Sequence, residues 1–470
     1  MKGLLFTYLV TFLGVTGCVI TPFYGFLAYV ALALLRPDFL WAHSISGGRF
    51  SLIVAMAMLV SWIVQGFGRW DLGKARPIVL LFTGFWLWTV FGAIYADSPA
   101  HGWYYVEQMG KILLPFLIGI TSVRSISDLK KLAWVIVICE GYVCFELNMW
   151  YFSGRNVLWE SGFGGVDNNS AAIGFVAALG VTAFMVLHEK VKWKLAILVA
   201  CGAFIAHAIQ FSFSRGAMLA TGVLGVTSFF VIINKTSKHY MLFGVAALAL
   251  IGLAGPEVHQ RFWETFEKNH GAREESAQSR LDLWEDCGIV LLRNPVMGCG
   301  PDHWPLLAHT FGWEKGKEAH SLWVQTAAET GIPGITMFAG FYVVCMWRCW
   351  VMMKRLGPDE DPWYRDCAQM TIASLCGFGV AAQFVSLEAL EVPYYVALLG
   401  AGTLVVHSRN QHSQAIVSVN NDNFSHQPVA EISQHNDWRD AIDQPPANPE
   451  PQPWTHGVDI PDHDEVVIMN

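Results

Sequence analysis

Three side chains in this sequence have types and surroundings that could do chemistry. Arg215, in FSFSRGAMLA, is the only fixed charge among the 39 residues from Leu195 to Ile233. A guanidinium at the centre of a membrane helix costs roughly 2.5–3.5 kcal/mol on insertion scales, so its presence asks for a reason. Arg280 opens SRLDLWEDCGIVLLRNPVMGCG one helical turn before Trp284, and His320 immediately precedes SLWVQTAAETG. Guanidinium groups present planar forks of donors to phosphate oxygens, and an uncharged imidazole can take a proton from a hydroxyl. The set suits displacement at a carbon that carries a diphosphate. Each residue also has a structural role open to it: snorkelling for Arg215, solvation on an amphipathic helix for Arg280, capping for His320.

The elements that must position these residues follow from composition. Over 470 residues, 53% are hydrophobic, 14% are charged and the mean hydropathy is +0.38, which excludes an ordinary soluble enzyme. The chain reads as an all-α polytopic membrane protein. Apolar runs recur from about Leu4 to Val406, and at roughly 20 apolar residues per crossing they amount to about twelve transmembrane helices. Residues 4 to 35 are too long for one span, and Pro22 is the expected break.

Linker charge gives the orientation. Arg69, Lys74 and Arg76; Arg124, Lys130 and Lys131; Lys190, Lys192 and Lys194; Lys235 and Lys238; and Arg348, Lys354, Arg355 and Arg365 mark five basic linkers, which face the cytoplasm by the positive-inside rule. Between them lie base-poor linkers with a lone Lys111 or Arg155, or with Glu388 and Glu391. The same parity puts residues 255–320 outside as one large loop. A 39-residue helix would be about 58 Å long, so the Arg215 segment must fold back, with Arg215 and Gly216 at an outward tip. An outward arginine runs against the bias of the whole chain.

Within the loop, Gln278 to Arg293 reads as a surface helix stopped by Asn294-Pro295, with Leu281, Trp284, Gly288 and Leu291 as an apolar stripe for the membrane face. Ser321 to Thr330 reads as a short helix closed by Gly331 and Pro333, so the backbone dipole at its start keeps His320 uncharged. Cys287 and Cys299 fall in the same loop, where a disulfide is open to them in an oxidising compartment. Residues 407–470 carry ten acidic residues against Arg409 and Arg439 and read as a disordered cytoplasmic tail, whose histidines lack metal-ligand spacing.

Two outward arginines and a neutral histidine beside a bilayer fit glycosyl transfer from a polyprenyl diphosphate. The histidine activates an acceptor hydroxyl, the arginines stabilise the departing diphosphate, and one displacement inverts the anomeric centre. No metal and no cofactor is required, because the loop shows no metal-binding carboxylate pattern. The net charge of −8 gives no reason to expect a nucleic-acid partner. A lipid-linked glycan transporter without catalysis is the rival class. It would place ionisable residues at mid-membrane and show repeated halves, and here Glu140 and Glu146 are the main charges away from the outer face.

FSFSRGAMLA, SRLDLWEDCGIVLLRNPVMGCGPDHW and AHSLWVQTAAETGIPG, in this order over about residues 20 to 405, resemble the successive signatures of the bacterial O-antigen ligase and polymerase superfamily. GFGGVDNNSAAIGF, at 162–175, is similar to the branch of O-glycosylation ligases associated with exosortase systems. The resemblance implies a lipid-dependent glycosyltransferase-like ligase domain over residues 1–406, in the bacterial inner membrane with a periplasmic active site. It implies a donor such as undecaprenyl-diphosphate-linked glycan, used without metal, and an acceptor hydroxyl on glycan, lipid or protein, with polysaccharide polymerisation as the variant reaction. By the same resemblance Arg215 and Arg280 contact the diphosphate and His320 activates or orients the acceptor. Asp167, Asn168 and Lys111 are candidate sugar or acceptor contacts, and for the first two a turn-forming role competes.

Overall fold

The computed structural model describes residues 2–45, 48–232, 235–253, 272–387 and 390–425. Its described elements are helical, apart from one isolated bridge between Phe163 and Val166. In chain order the helices are α1 (Lys2–Ile20), α2 (Pro22–Leu35), α3 (Pro37–Leu40), α4 (Phe50–Val64), α5 (Arg76–Tyr95), α6 (Pro99–Ser122), α7 (Ile126–Phe152), α8 (Val157–Ser161) and α9 (Asn168–His188). There follow α10 (Lys192–Phe211), α11 (Arg215–Val231), α12 (Ser237–Leu253), α13 (Ala272–Arg293), α14 (Trp304–Leu307), α15 (Leu322–Arg355), α16 (Pro362–Ala381) and α17 (Glu391–Ser425). The protein is an all-α polytopic membrane protein.

Eight helical stretches are long and apolar enough to cross a membrane, and α4 and α11 are shorter apolar helices. The remaining expected spans fall in α6, α12 and α17, where polar residues or length keep the helix below that standard. Pro22 does divide the N-terminal run: Thr21 caps α2 and Pro22 takes its first position, where a missing N–H is harmless. The centre of the bundle is aromatic. Phe82 of α5 stacks on Tyr394 of α17 at 5.1 Å and lies 4.7 Å from Phe341 of α15, with Phe116 of α6 edge-on at 5.3 Å.

The basic linkers gather at one end. Arg409 donates to the carbonyl oxygens of Arg69, Asp71 and Val123, Lys130 lies 5.1 Å over the Trp363 ring, and His407 meets Glu360 at 2.9 Å. The base-poor linkers meet at the other end, where Ser98 N–H donates to His303 and His101 pairs with Asp302. These contacts move the expected tail boundary. The described residues up to Gln414 form one compact unit. The segment after Val406 continues α17, where Arg409 is bound to the linkers and Asn410 to Tyr364 of α16. Residues 426–470 of the expected tail, and 255–271 of the expected loop, lie outside the described residues.

Candidate functional site

Arg215 occupies the first position of α11, at the tip of the α10–α11 hairpin. Ser214 is the N-cap, its hydroxyl accepting from Ala217 N–H at 3.3 Å, which satisfies one of the helix's free donors. Two amides hold the turn from outside: Asn156 Nδ2 donates to Phe211 O at 2.8 Å and Asn168 Nδ2 to Ser212 O at 2.7 Å. Phe213 sits at φ +56°, an uncommon conformation for a bulky residue, with the Trp159 ring edge-on at 5.5 Å. A Cβ added at Gly216 would come within 2.7 Å of the Phe384 ring, so only glycine lets α11 lie this close. Ser212 and Ser214 are buried while Arg215 is exposed, so a rigid base projects a free guanidinium.

Arg280 lies half-buried on α13. The face that α13 turns to the protein is Leu283, Cys287 and Val290, packed with Trp304, Ala308 and Ala319. The stripe expected to face the membrane lies beside this buried face: Leu281 is exposed and Trp284 lies on the flank. There Trp284 Nε1 donates to Ala319 O at 3.0 Å, which binds the Arg280 helix to the residue before His320. Cys287 and Cys299 are separate thiols.

His320 sits at φ +52°, just ahead of the N-cap Ser321 of α15. Burial first, then Arg280 and Lys317, lower its pKa below the ordinary value, with Asp167 opposing them. Burial and the nearby cations thus favour the uncharged ring. Burial and the neighbouring Arg215 likewise lower Arg280. The electrostatics thus link Arg215 to Arg280, and Arg280 to His320. Neither arginine has a carboxylate partner among the described residues. Two like charges held together without a counter-ion favour an incoming anion.

A buried carboxylate keeps this loop in shape. Glu329, 1% exposed on α15, accepts from Asp302 N–H, Trp304 N–H and Gln325 Nε2, while Gln325 Oε1 accepts from Ala319 N–H. Gly331 breaks α15 with φ +70° and ψ −175°, as the Gly331–Pro333 pair predicted, and a Cβ there would stand 2.2 Å from Val296 O. Glu329 was not picked out from the sequence, although a charge one turn after Gln325 in an apolar run was a usable signal.

The other candidates separate. Asp167 is the N-cap of α9, accepting from Ser170 N–H at 2.9 Å, and its charge reaches His320 and Glu318. Asn168 spends its amide on the Ser212 carbonyl and so shapes the hairpin. Lys111, on α6, pairs with Glu107 at 2.7 Å and shares no contact with the three central residues among those described. Lys317 and Glu318, unnoticed in the sequence, stand beside His320. Partial burial, then Asp167 and Asp302, raise the Glu318 carboxyl above its ordinary range, and Glu318 edges a cavity of about 590 Å³.

Residues 203–339 match the family model described as O-antigen ligase, a span that contains Arg215, Arg280 and His320. Over those residues the chain is similar to the O-antigen ligase family. The O-antigen ligase match begins in α10 and ends in α15, so it covers the hairpin, the loop and the Gly331 break. Residues 1–149 match a second model, described as a family of unknown function. No curated protein matches the chain. Asp167 and Asn168 lie between the two matched segments and Lys111 within the first.

Proposed function

We propose that this protein transfers a glycan from a polyprenyl-diphosphate donor to an acceptor hydroxyl at the outer face of the bacterial inner membrane. The observation that carries the reading is the linkage of Arg215, Arg280 and a neutral His320 on one side of the bundle, with no carboxylate to neutralise the arginines among the described residues. His320 takes the proton of the acceptor hydroxyl as its oxygen attacks the anomeric carbon. The bond from that carbon to the diphosphate oxygen breaks, and the electron pair leaves with the diphosphate, whose charge Arg215 and Arg280 stabilise. One displacement inverts the anomeric centre, and no step calls for a metal.

The outward assignment rests on the basic linkers meeting at the opposite end. The acceptor is a glycan, lipid or protein hydroxyl. The test is anomeric NMR of the product made by purified protein with EDTA present, together with detection of free polyprenyl diphosphate. An inverted linkage formed with stoichiometric release supports the reading. Retention, or dependence on added metal, refutes it.

A further inference from the structure

The cavity of about 590 Å³ is of the size small-ligand sites take, and it runs inward from Glu318 between α2, α6, α7, α9 and α17. It reaches Glu140, the residue that the charge pattern of the sequence left unexplained. Glu140 is on α7, about 18 Å along the helix from its outer end at Phe152. It is 4% exposed and has no hydrogen-bond or ion-pair partner among the described residues. A buried carboxyl is expensive in a membrane and marks a functional path by default. A second, independent group points the same way. Ser386, also 4% exposed, lines the cavity with a hydroxyl that has no partner among the described residues.

The cavity is lined by acidic residues, where the surroundings of Arg215 are basic. Glu140, Glu391, Asp302 and Glu318 line it against one guanidinium, Arg36, which is already 3.8 Å from Asp38. Such a wall offers an anion almost no cationic partner and gives hydroxyls carboxyl oxygens to bond. In an in-line displacement the acceptor oxygen enters opposite the leaving group. Glu318, two residues before His320 in the chain, edges this acidic cavity.

We propose that this cavity holds the acceptor, and that it selects a hydroxyl-rich saccharide end that carries no anionic group. This rests on the glycosyl-transfer reading and adds the acceptor's chemistry to it. Arginines take the diphosphate and carboxylates take the sugar. Glu140 and Ser386 supply polar contacts within it.

The test uses the full chain in lipid nanodiscs with a polyprenyl-diphosphate-linked donor and two synthetic acceptors: a disaccharide methyl glycoside, and the same glycoside phosphorylated on its terminal sugar. The expected result is transfer to the neutral acceptor at least tenfold above the phosphorylated one. Glu140→Gln and Ser386→Ala should each raise the acceptor KM several-fold and leave the donor KM unchanged. Ser386→Ala guards against misfolding, since its hydroxyl makes no hydrogen bond to the described protein. Equal use of both acceptors, or variants that alter the donor KM alone, would overturn the acceptor assignment while leaving glycosyl transfer intact. Donor that is bound but transferred to neither acceptor, with no diphosphate released, removes the transfer reading and the acceptor proposal with it.

Discussion

Trp284 Nε1 donates a 3.0 Å hydrogen bond to the carbonyl oxygen of Ala319, and this one bond sets the Arg280 helix against the backbone that carries His320. A net hydrogen bond of this kind contributes about 1 kcal/mol to stability. Its larger effect is on position, since small misplacements of reacting groups cost up to about 100-fold in rate. Trp284→Phe keeps the ring and loses the donor. We expect kcat to fall about 10- to 100-fold while thermal unfolding moves only slightly; a large stability loss with unchanged kcat in the surviving protein would contradict this.

The acid limb of the pH–rate profile should report His320. The ring must be neutral to accept a proton, so kcat/KM falls as pH drops through a pKa that lies below the ordinary histidine value. Lys317→Gln removes a cation that opposes protonation, so the pKa rises and the limb moves to higher pH. Asp167→Asn removes an anion that favours it, so the limb moves to lower pH, while asparagine still caps α9. Limbs that stay fixed in both variants would show that another group titrates.

Asn168 separates a shaping role from a sugar-binding one. If its amide serves the Ser212 carbonyl, Asn168→Ala and Asn168→Asp both free the hairpin tip that presents Arg215. Donor KM should then rise several-fold in both variants, with acceptor KM unchanged and stability lower by about 1 kcal/mol. A change confined to acceptor KM would restore Asn168 as an acceptor contact.

Two glycines in the matched segment should behave oppositely. At Gly331 the positive φ and the 2.2 Å approach to Val296 O leave no space for a side chain, so Gly331→Ala should abolish folded protein in the membrane fraction. At Gly288 an added Cβ meets nothing within 4 Å, so Gly288→Ala should be tolerated and strengthen α13 by up to about 1 kcal/mol. Fluorescence-detected size exclusion compares the two directly. Similar profiles would contradict the packing described.

The sequence made legible what depends on length and punctuation. A 39-residue stretch with one fixed charge had to fold back, and it does so at Ser212–Ser214. Gly331 and Pro333 marked the break in α15. Contacts between distant segments left weaker traces. Leu281 and Leu283 are equally apolar, so the pattern could not say which side of α13 is buried, and the structure selects Leu283. The tail's composition changes at 407, yet Arg409 finds backbone carbonyls on linkers more than 280 residues away in sequence, which composition cannot register. Asn168 was open to a turn-forming or a ligand role, and its bond to Ser212 is invisible in one dimension.

The central claim is that Arg215 and His320 serve one transfer reaction. The measurement that tests it most directly is glycan transfer from a polyprenyl-diphosphate donor by purified protein, with EDTA present, comparing wild type with His320→Ala and Arg215→Ala. The account predicts a new glycosidic bond and free polyprenyl diphosphate from wild type, and loss of at least about 100-fold in rate in each variant that remains folded. Variants that match wild type, or a wild type that moves donor across the bilayer without forming a bond, would contradict it.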